Sequence, residues 1–206
     1  MELLLTPAHA QLPPSPWITR FGALLQALHA QRPQRRALDV ACGWGRHTRW
    51  LAQQGYRVTA VDRDAEALAA LTALGPAVTP LHADLEGAPW PLPGQSFDVV
   101  LVTNYLWRPL LPHVLASLAP GGVLLYETFA WGQHTIGRPA RADFLLAPGE
   151  LLQVCEGLRI VAYEDGYESD PARYVQRVAA LRPPQPAPSE PLRLPLTTPS
   201  TFGAAG

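Results

Sequence analysis

The chain contains no lysine, so all sixteen of its basic residues are arginine. A Schiff-base lysine and the phosphate-gripping lysine of a nucleotide-binding loop are therefore both excluded. Cysteine is nearly as scarce: Cys42 and Cys155 stand alone, and neither lies in a Cys-x-x-Cys or Cys/His spacing. That pattern excludes a disulfide framework, offers no metal site and suits a reduced, cytoplasmic setting. An excess of charge is missing too. With a formal net charge of -1 there is no broad basic field of the kind that drives non-specific nucleic-acid binding, although a short arginine patch would escape this test. Long apolar runs are absent: no stretch reaches eighteen uninterrupted apolar residues, and the opening Met1-Glu-Leu-Leu-Leu-Thr-Pro7 lacks the basic leader of a signal peptide. No membrane partner is expected. Oligomeric state is not legible.

What is present is 206 residues at 48% hydrophobic composition, enough for one domain with a substantial core. Residues 1–34 read as an N-terminal extension. In it Ser15 precedes Trp17, Phe21, Leu24, Leu25 and Leu28 at helical spacing, a lid or flap helix packed on the domain. From Ala37 onward strands and helices alternate: strand 37–42, helix 46–54, strand 57–62, helix 64–73 and strand 78–82. A buried strand over 97–103 follows, then a helix over 110–118, a strand over 123–128 after Pro120-Gly121-Gly122, and a helix over 148–155. Strands over 159–164 and 173–181, joined through 166–171, suit a hairpin. The alternation predicts an α/β, Rossmann-like, doubly wound and mostly parallel seven-stranded sheet with a C-terminal antiparallel hairpin, over residues 35–182. Residues 183–206 are Pro-rich, the composition of a disordered tail.

The chemistry concentrates in Ala37-Leu-Asp-Val-Ala-Cys-Gly-Trp-Gly-Arg46, an apolar strand running into a Gly-x-Gly turn. Gly43 and Gly45 leave the backbone bare where an open parallel sheet places its ligand crevice. Asp62, seventeen positions after Gly45, ends the next strand, where a carboxylate can accept from ribose hydroxyls or, alternatively, cap the helix that follows. The third glycine of a dinucleotide fingerprint would fall at Thr48, so a dehydrogenase fits poorly.

These blocks, in this order, resemble the class I S-adenosylmethionine-dependent methyltransferases over roughly residues 35–182. Leu38-Asp-Val-Ala-Cys-Gly-Trp-Gly45 is similar to the family's first motif, Val58-Thr-Ala-Val-Asp62 to its ribose-binding strand end, and Ala83-Asp-Leu85 to its adenine-side acid. Phe97-Asp-Val-Val-Leu-Val-Thr-Asn104 resembles the fourth motif, and Leu118-Ala-Pro-Gly-Gly-Val-Leu-Leu125 the strand behind a Pro-Gly-Gly turn. Within the superfamily, Asn104-Tyr-Leu-Trp-Arg-Pro-Leu110, Tyr126-Glu-Thr-Phe-Ala-Trp-Gly132 and Gly137-Arg-Pro resemble a bacterial group labelled tellurite-resistance-type small-molecule methyltransferases. The chain departs from that group at Trp107 and at Gln133-His134.

The resemblance implies a cofactor, S-adenosyl-L-methionine, and a small-molecule methyl acceptor. It implies that Asp39 lies near the methionine ammonium, that Ala41, Gly43, Trp44 and Gly45 border the methionine portion, and that Asp62 and Arg63 lie at the ribose. Asp84 and Leu85 would meet the adenine, with Asn104 and Tyr105 flanking the sulfonium. Methyl transfer is an in-line displacement that mainly requires alignment and exclusion of water. Tyr105 is accordingly a candidate for positioning the acceptor and His134 for acid-base work. Arg138, with Arg141, is placed by the same reading over the pocket to recognise an anionic or thiol-like acceptor. His47 is a weaker base candidate, Cys42 a packing residue, and Arg108 a partner for Glu127 or for substrate. An RNA or protein methyltransferase, or a non-catalytic cofactor-binding protein, would keep the same cofactor residues.

Overall fold

The computed structural model describes residues 12–195. Seven strands form one sheet: β1 (Arg36–Val40), β2 (Arg57–Asp62), β3 (Val78–His82), β4 (Phe97–Thr103), β5 (Leu118–Phe129), β6 (Arg159–Ser169) and β7 (Ala172–Leu181). Their order is β3-β2-β1-β4-β5-β7-β6, with β1 to β5 parallel and β7 antiparallel to both neighbours. The order reverses between β1 and β4, which opens a crevice at the carboxyl ends of those strands.

The apolar runs explain the layering. Alternate residues of β4 serve opposite faces: Val99 and Leu101 join one core, Val100 and Val102 the other, and all four are buried. The first core is covered by α1 (Pro16–Thr19), α2 (Gly22–His29), α3 (Arg46–Gln53) and α4 (Ala65–Leu71), through Ile18, Leu25, Leu51 and Leu68. The second is covered by α5 (Leu111–Ala116) and α6 (Glu150–Val154), through Val114 and Leu151. β3 is an edge strand, which is why it tolerates Pro80.

Several local expectations are corrected. The N-terminal helix is two helices broken at Arg20–Phe21, and its apolar face is a core layer rather than a flap, since Ile18, Leu24 and Leu25 are fully buried. The Pro-Gly-Gly segment is no turn before β5. It lies inside that strand as a bulge, with Gly121 at φ +75° and a register shift opposite Phe97–Val99. The hairpin is tighter than its spacing suggested, because β6 and β7 pair out to Ser169 and Ala172 and leave Asp170-Pro171 as the turn. The Pro-rich segment is held rather than loose over 183–195, where Leu192 and Leu194 pack on the first core. The rest of that segment lies outside the described residues.

If α2 is a core layer, Leu25→Ala should cost about 2–5 kcal/mol, the range for a buried leucine that leaves a cavity. Urea unfolding checks this; a loss below about 1 kcal/mol is what a loosely docked flap would show.

Candidate functional site

The residues singled out in the sequence converge at the carboxyl edge of β1, β2 and β4. Asp39, one residue from the end of β1, is 1% exposed and accepts a hydrogen bond from Thr48 Oγ1 at 2.6 Å, across the turn into α3. The turn itself needs left-handed backbone at Ala41 (φ +53°), Gly43 (φ +51°) and Gly45 (φ +72°). A side chain at Gly45 would collide with Leu71 of α4, so that glycine serves packing. One at Gly43 would meet nothing within 4 Å, so that glycine faces open space where a ligand can approach. Alanine at φ +53° is strained, and so is the only other described non-glycine residue with positive φ, Asn104, also at φ +53° and just past the end of β4. Two left-handed residues at neighbouring strand ends make this crevice the candidate ligand site.

Asp62 ends β2. Its Oδ2 accepts from the Gly43 amide at 2.7 Å and its Oδ1 from the Asp64 amide at 2.9 Å. Helix capping falls instead to Asp64, whose Oδ1 accepts from the amides of Glu66 and Ala67, so the capping reading of Asp62 does not hold. Beside Asp62 opens a cavity of about 190 Å³ lined by Ala41, Arg63, Asp84, Leu85 and Tyr105 among others. Asp84 sits at its rim, its carboxyl held below the usual range by the Glu86 and Gly87 amides. Leu85 is buried and Arg63 exposed. The Tyr105 hydroxyl is buried without a hydrogen-bond partner among the described residues, and burial pushes its pKa up. Trp44 is half-buried beside the turn.

A second polar group lies on the other side of the crevice. Ser15 donates its backbone N–H to His47 Nε2 at 3.0 Å and its hydroxyl to Glu127 Oε2 at 3.2 Å. Because Nε2 accepts, the ring proton is on Nδ1, which donates to Thr103 Oγ1 at 3.2 Å. Both nitrogens are committed, so His47 is a clasp and not a base. Glu127 is fully buried on β5 and meets two arginines of β7: Arg173 Nη1 at 3.4 Å and Arg177 Nε at 2.7 Å. Arg177 also pairs with Glu164 and Glu168, and Arg173 with Glu168. Removing Glu127 would strip the innermost partner from both guanidiniums while Glu164 and Glu168 still neutralise them, so the loss falls short of about 3–5 kcal/mol, the cost of a fully orphaned buried charge.

Other expected site residues lie elsewhere. Arg138 is exposed, does not line the cavity, and contributes only its carbonyl, which accepts from Gln133 Nε2. Arg141 is exposed and paired with Asp143. His134 is exposed against the Trp131 ring. Tyr105 lines the cavity together with Asp62 and Asp84. Arg108 does not meet Glu127; it forms a two-pronged bond to Glu150 and binds the carbonyls of Asp143 and Leu145. Cys42 is buried and burial pushes its thiol pKa up, which leaves it inert. The sequence reading passed over Ser15, Arg46 and Arg173. Arg46 directly follows the glycine turn, and that position was its available signal.

Burial gives the site two opposed pH dependences. It pushes the Asp39 carboxyl from 3.8 up to about 7, so between those values the native chain keeps a proton the unfolded chain has lost, and stability falls as pH rises. It pushes His47 from 6.5 down to about 3, so the unfolded chain takes up a proton the native one refuses, and stability falls as pH drops through that window. Asp39→Asn should therefore gain on the wild type from pH 4 to 7, by on the order of 4 kcal/mol. His47→Gln should gain as pH falls from 6.5 toward 3. Urea melts at pH 4, 5.5 and 7.5 check both; a difference from wild type that does not vary with pH contradicts the assignment.

Comparison with known proteins agrees with this geometry. Residues 37–122 match the family model of a methyltransferase domain. Malonyl-[acyl-carrier protein] O-methyltransferase of Serratia marcescens is 33% identical over 116 residues, 54% of this chain and 45% of that one. Trans-aconitate 2-methyltransferase of Paracidovorax citrulli is 38% identical over 98 residues, 44% of this chain and 37% of that one. The chain spans about half the length of the curated relatives it matches. Among solved structures, TehB from Haemophilus influenzae superposes with a TM-score of 0.61 at 18% identity, over 78% of this chain and 62% of that one, a likeness of fold. With the sheet order and the matched methyltransferase domain taken together, the chain resembles the class I S-adenosylmethionine-dependent methyltransferases.

Proposed function

We propose that the protein transfers a methyl group from S-adenosyl-L-methionine to a small, acid-bearing acceptor. The observation that carries this reading is the row of three carboxylates along the crevice: buried Asp39, Asp62 at the end of β2, and Asp84 at the rim of the cavity. Each fits a different part of the donor. Both Asp62 oxygens already accept one backbone amide, and each has a further lone pair to offer a ribose hydroxyl. Asp84 faces the cavity where an adenine amino group would donate. Asp39 offers acceptor oxygens beside the glycine turn, where a methionine ammonium would lie. The cavity, with the unpartnered Tyr105 hydroxyl directed into a buried space, suits a ring with polar edges.

The donor supplies an activated methyl on sulfur, and the chain's task is alignment. The glycine turn and Asp62 hold the nucleoside, Asn104 projects its strained backbone between donor and acceptor sides, and the buried Ser15–His47–Thr103 clasp closes the far wall against water. No described side chain there is free to act as a base, because both His47 nitrogens are bonded and Glu127 is occupied by Ser15, Arg173 and Arg177. That suits an acceptor already nucleophilic at neutral pH, a carboxylate or a thiolate. The names of the relatives, which act on malonyl-[acyl-carrier protein] and on trans-aconitate, favour the carboxylate. The two free, buried thiols support a cytoplasmic setting.

Calorimetric titration should show binding of S-adenosylmethionine and S-adenosylhomocysteine and none of NAD. Asp62→Ala should weaken S-adenosylhomocysteine by roughly 100-fold, the worth of two hydrogen bonds to a charged acceptor. NAD binding without S-adenosylmethionine binding would sink the reading, and a radiolabelled methyl-transfer screen across carboxylates, thiols and oxyanions separates an enzyme from a silent binder.

A further inference from the structure

Arg46 is the first residue of α3 and lies half-buried at the crevice, yet it makes neither a hydrogen bond nor an ion pair among the described residues. Burial lowers its pKa, with Glu127 and Asp39 acting against that and Arg173 adding to it, so its charge lies within reach of all three. The nearby carboxylates do not satisfy its five donors. Asp39 bonds Thr48, and Glu127 is engaged by Ser15, Arg173 and Arg177. Arg173 is itself incompletely used: Nε meets Glu168 at 2.6 Å and Nη1 meets Glu127 at 3.4 Å, while Nη2 has no partner among the described residues. Two guanidiniums whose charges bear on one another while donors on both stay unspent repel each other, and they become favourable when an anion sits between them.

We propose that Arg46 and Arg173 form a carboxylate seat on the acceptor side of the crevice, which fixes an acid group of the substrate by forked hydrogen bonds. The inference rests on the methyl-transfer reading above and names the anchor that reading lacks. Its position argues for the acceptor. β7 lies three strands from β1, about 14 Å at ordinary strand spacing. A group shared by Arg46 and Arg173 therefore lies over β4 and β5, across the crevice from the Asp62–Asp84 cavity. The seated carboxylate is an anchor and not the nucleophile, since lone pairs held by guanidinium N–H groups are the ones least available to attack carbon. The seat also replaces Arg138 and Arg141 as the anion-recognising pair.

The test uses the full chain in two steps. Binding of S-adenosylhomocysteine to the wild type is measured first; its absence means that the donor reading fails, and the acceptor seat with it. The S-adenosylhomocysteine-loaded protein is then titrated with succinate, tricarballylate and trans-aconitate, and with their methyl esters. Saturable binding of at least one acid and of no ester is expected. Arg46→Gln should weaken that acid at least tenfold while S-adenosylhomocysteine stays within threefold of wild type, and the melting temperature should hold because the side chain makes no bond. Arg46→Lys should fall between, keeping charge without the fork. Arg173→Gln, followed by circular dichroism, gives an independent tenfold loss. Equal binding of acid and ester, no binding of any acid, or an unchanged affinity in Arg46→Gln overturns the proposal. A tenfold loss of S-adenosylhomocysteine in Arg46→Gln, with acid binding unchanged, also overturns it and assigns the seat to the donor's own carboxylate.

Discussion

The bond from the Gly43 amide to the Asp62 carboxylate, 2.7 Å long, ties the turn after β1 to the end of β2. The crevice depends on it. Without that tie the three left-handed residues of the turn would be held by the Cys42–Val61, Gly45–Cys42 and Arg49–Gly45 backbone bonds and the Cys42 thiol on the Gly43 carbonyl, none of which reaches β2 from Gly43. With it, one acid side chain both shapes the loop and presents lone pairs to whatever lies above. Asp64 frees Asp62 for this work by capping α4 itself, a division of labour between two acids only two residues apart.

The site is built in two halves with different physics. The Asp62–Asp84 side is made of backbone geometry and exposed or half-exposed carboxylates, and its groups retain spare acceptor capacity. The far side is made of buried ion pairs and a neutral histidine, nearly all of them committed to one another. The second half therefore specifies shape more than chemistry. Arg46 and the Nη2 of Arg173 keep unspent donors there among the described residues, and the proposed acid seat rests on that asymmetry.

The sheet was legible in the sequence because each parallel strand, buried on both faces, is a continuous apolar run of strand length, as in 97–103. Asp39, the glycine turn, Asp62 and Asp84 were legible because they are local to strand ends. What failed to show were contacts between distant segments. Ser15 reaches His47 across 32 positions and Glu127 across 112, and Arg173 reaches Glu127 across 46. Periodicity carries no trace of such pairs. Arg138 misled for the complementary reason: a Gly/Pro-rich loop after β5 fixes where the chain passes but not which way a long side chain leaves it. The bulge at Gly121 was read as a turn because Pro-Gly-Gly serves either purpose, and pairing with β4 decides between them.

Alanine at position 41 has a consequence of another kind. Glycine would adopt the same left-handed backbone without strain, but it would also give the unfolded and partly opened loop many more conformations to sample. An alanine narrows that choice toward right-handed and extended backbone, away from φ +53°, so the turn keeps its path only because the bonds around it over-determine it. Strain is thus stored in the loop at this crevice, and the contacts that hold the turn elsewhere in the fold carry its cost.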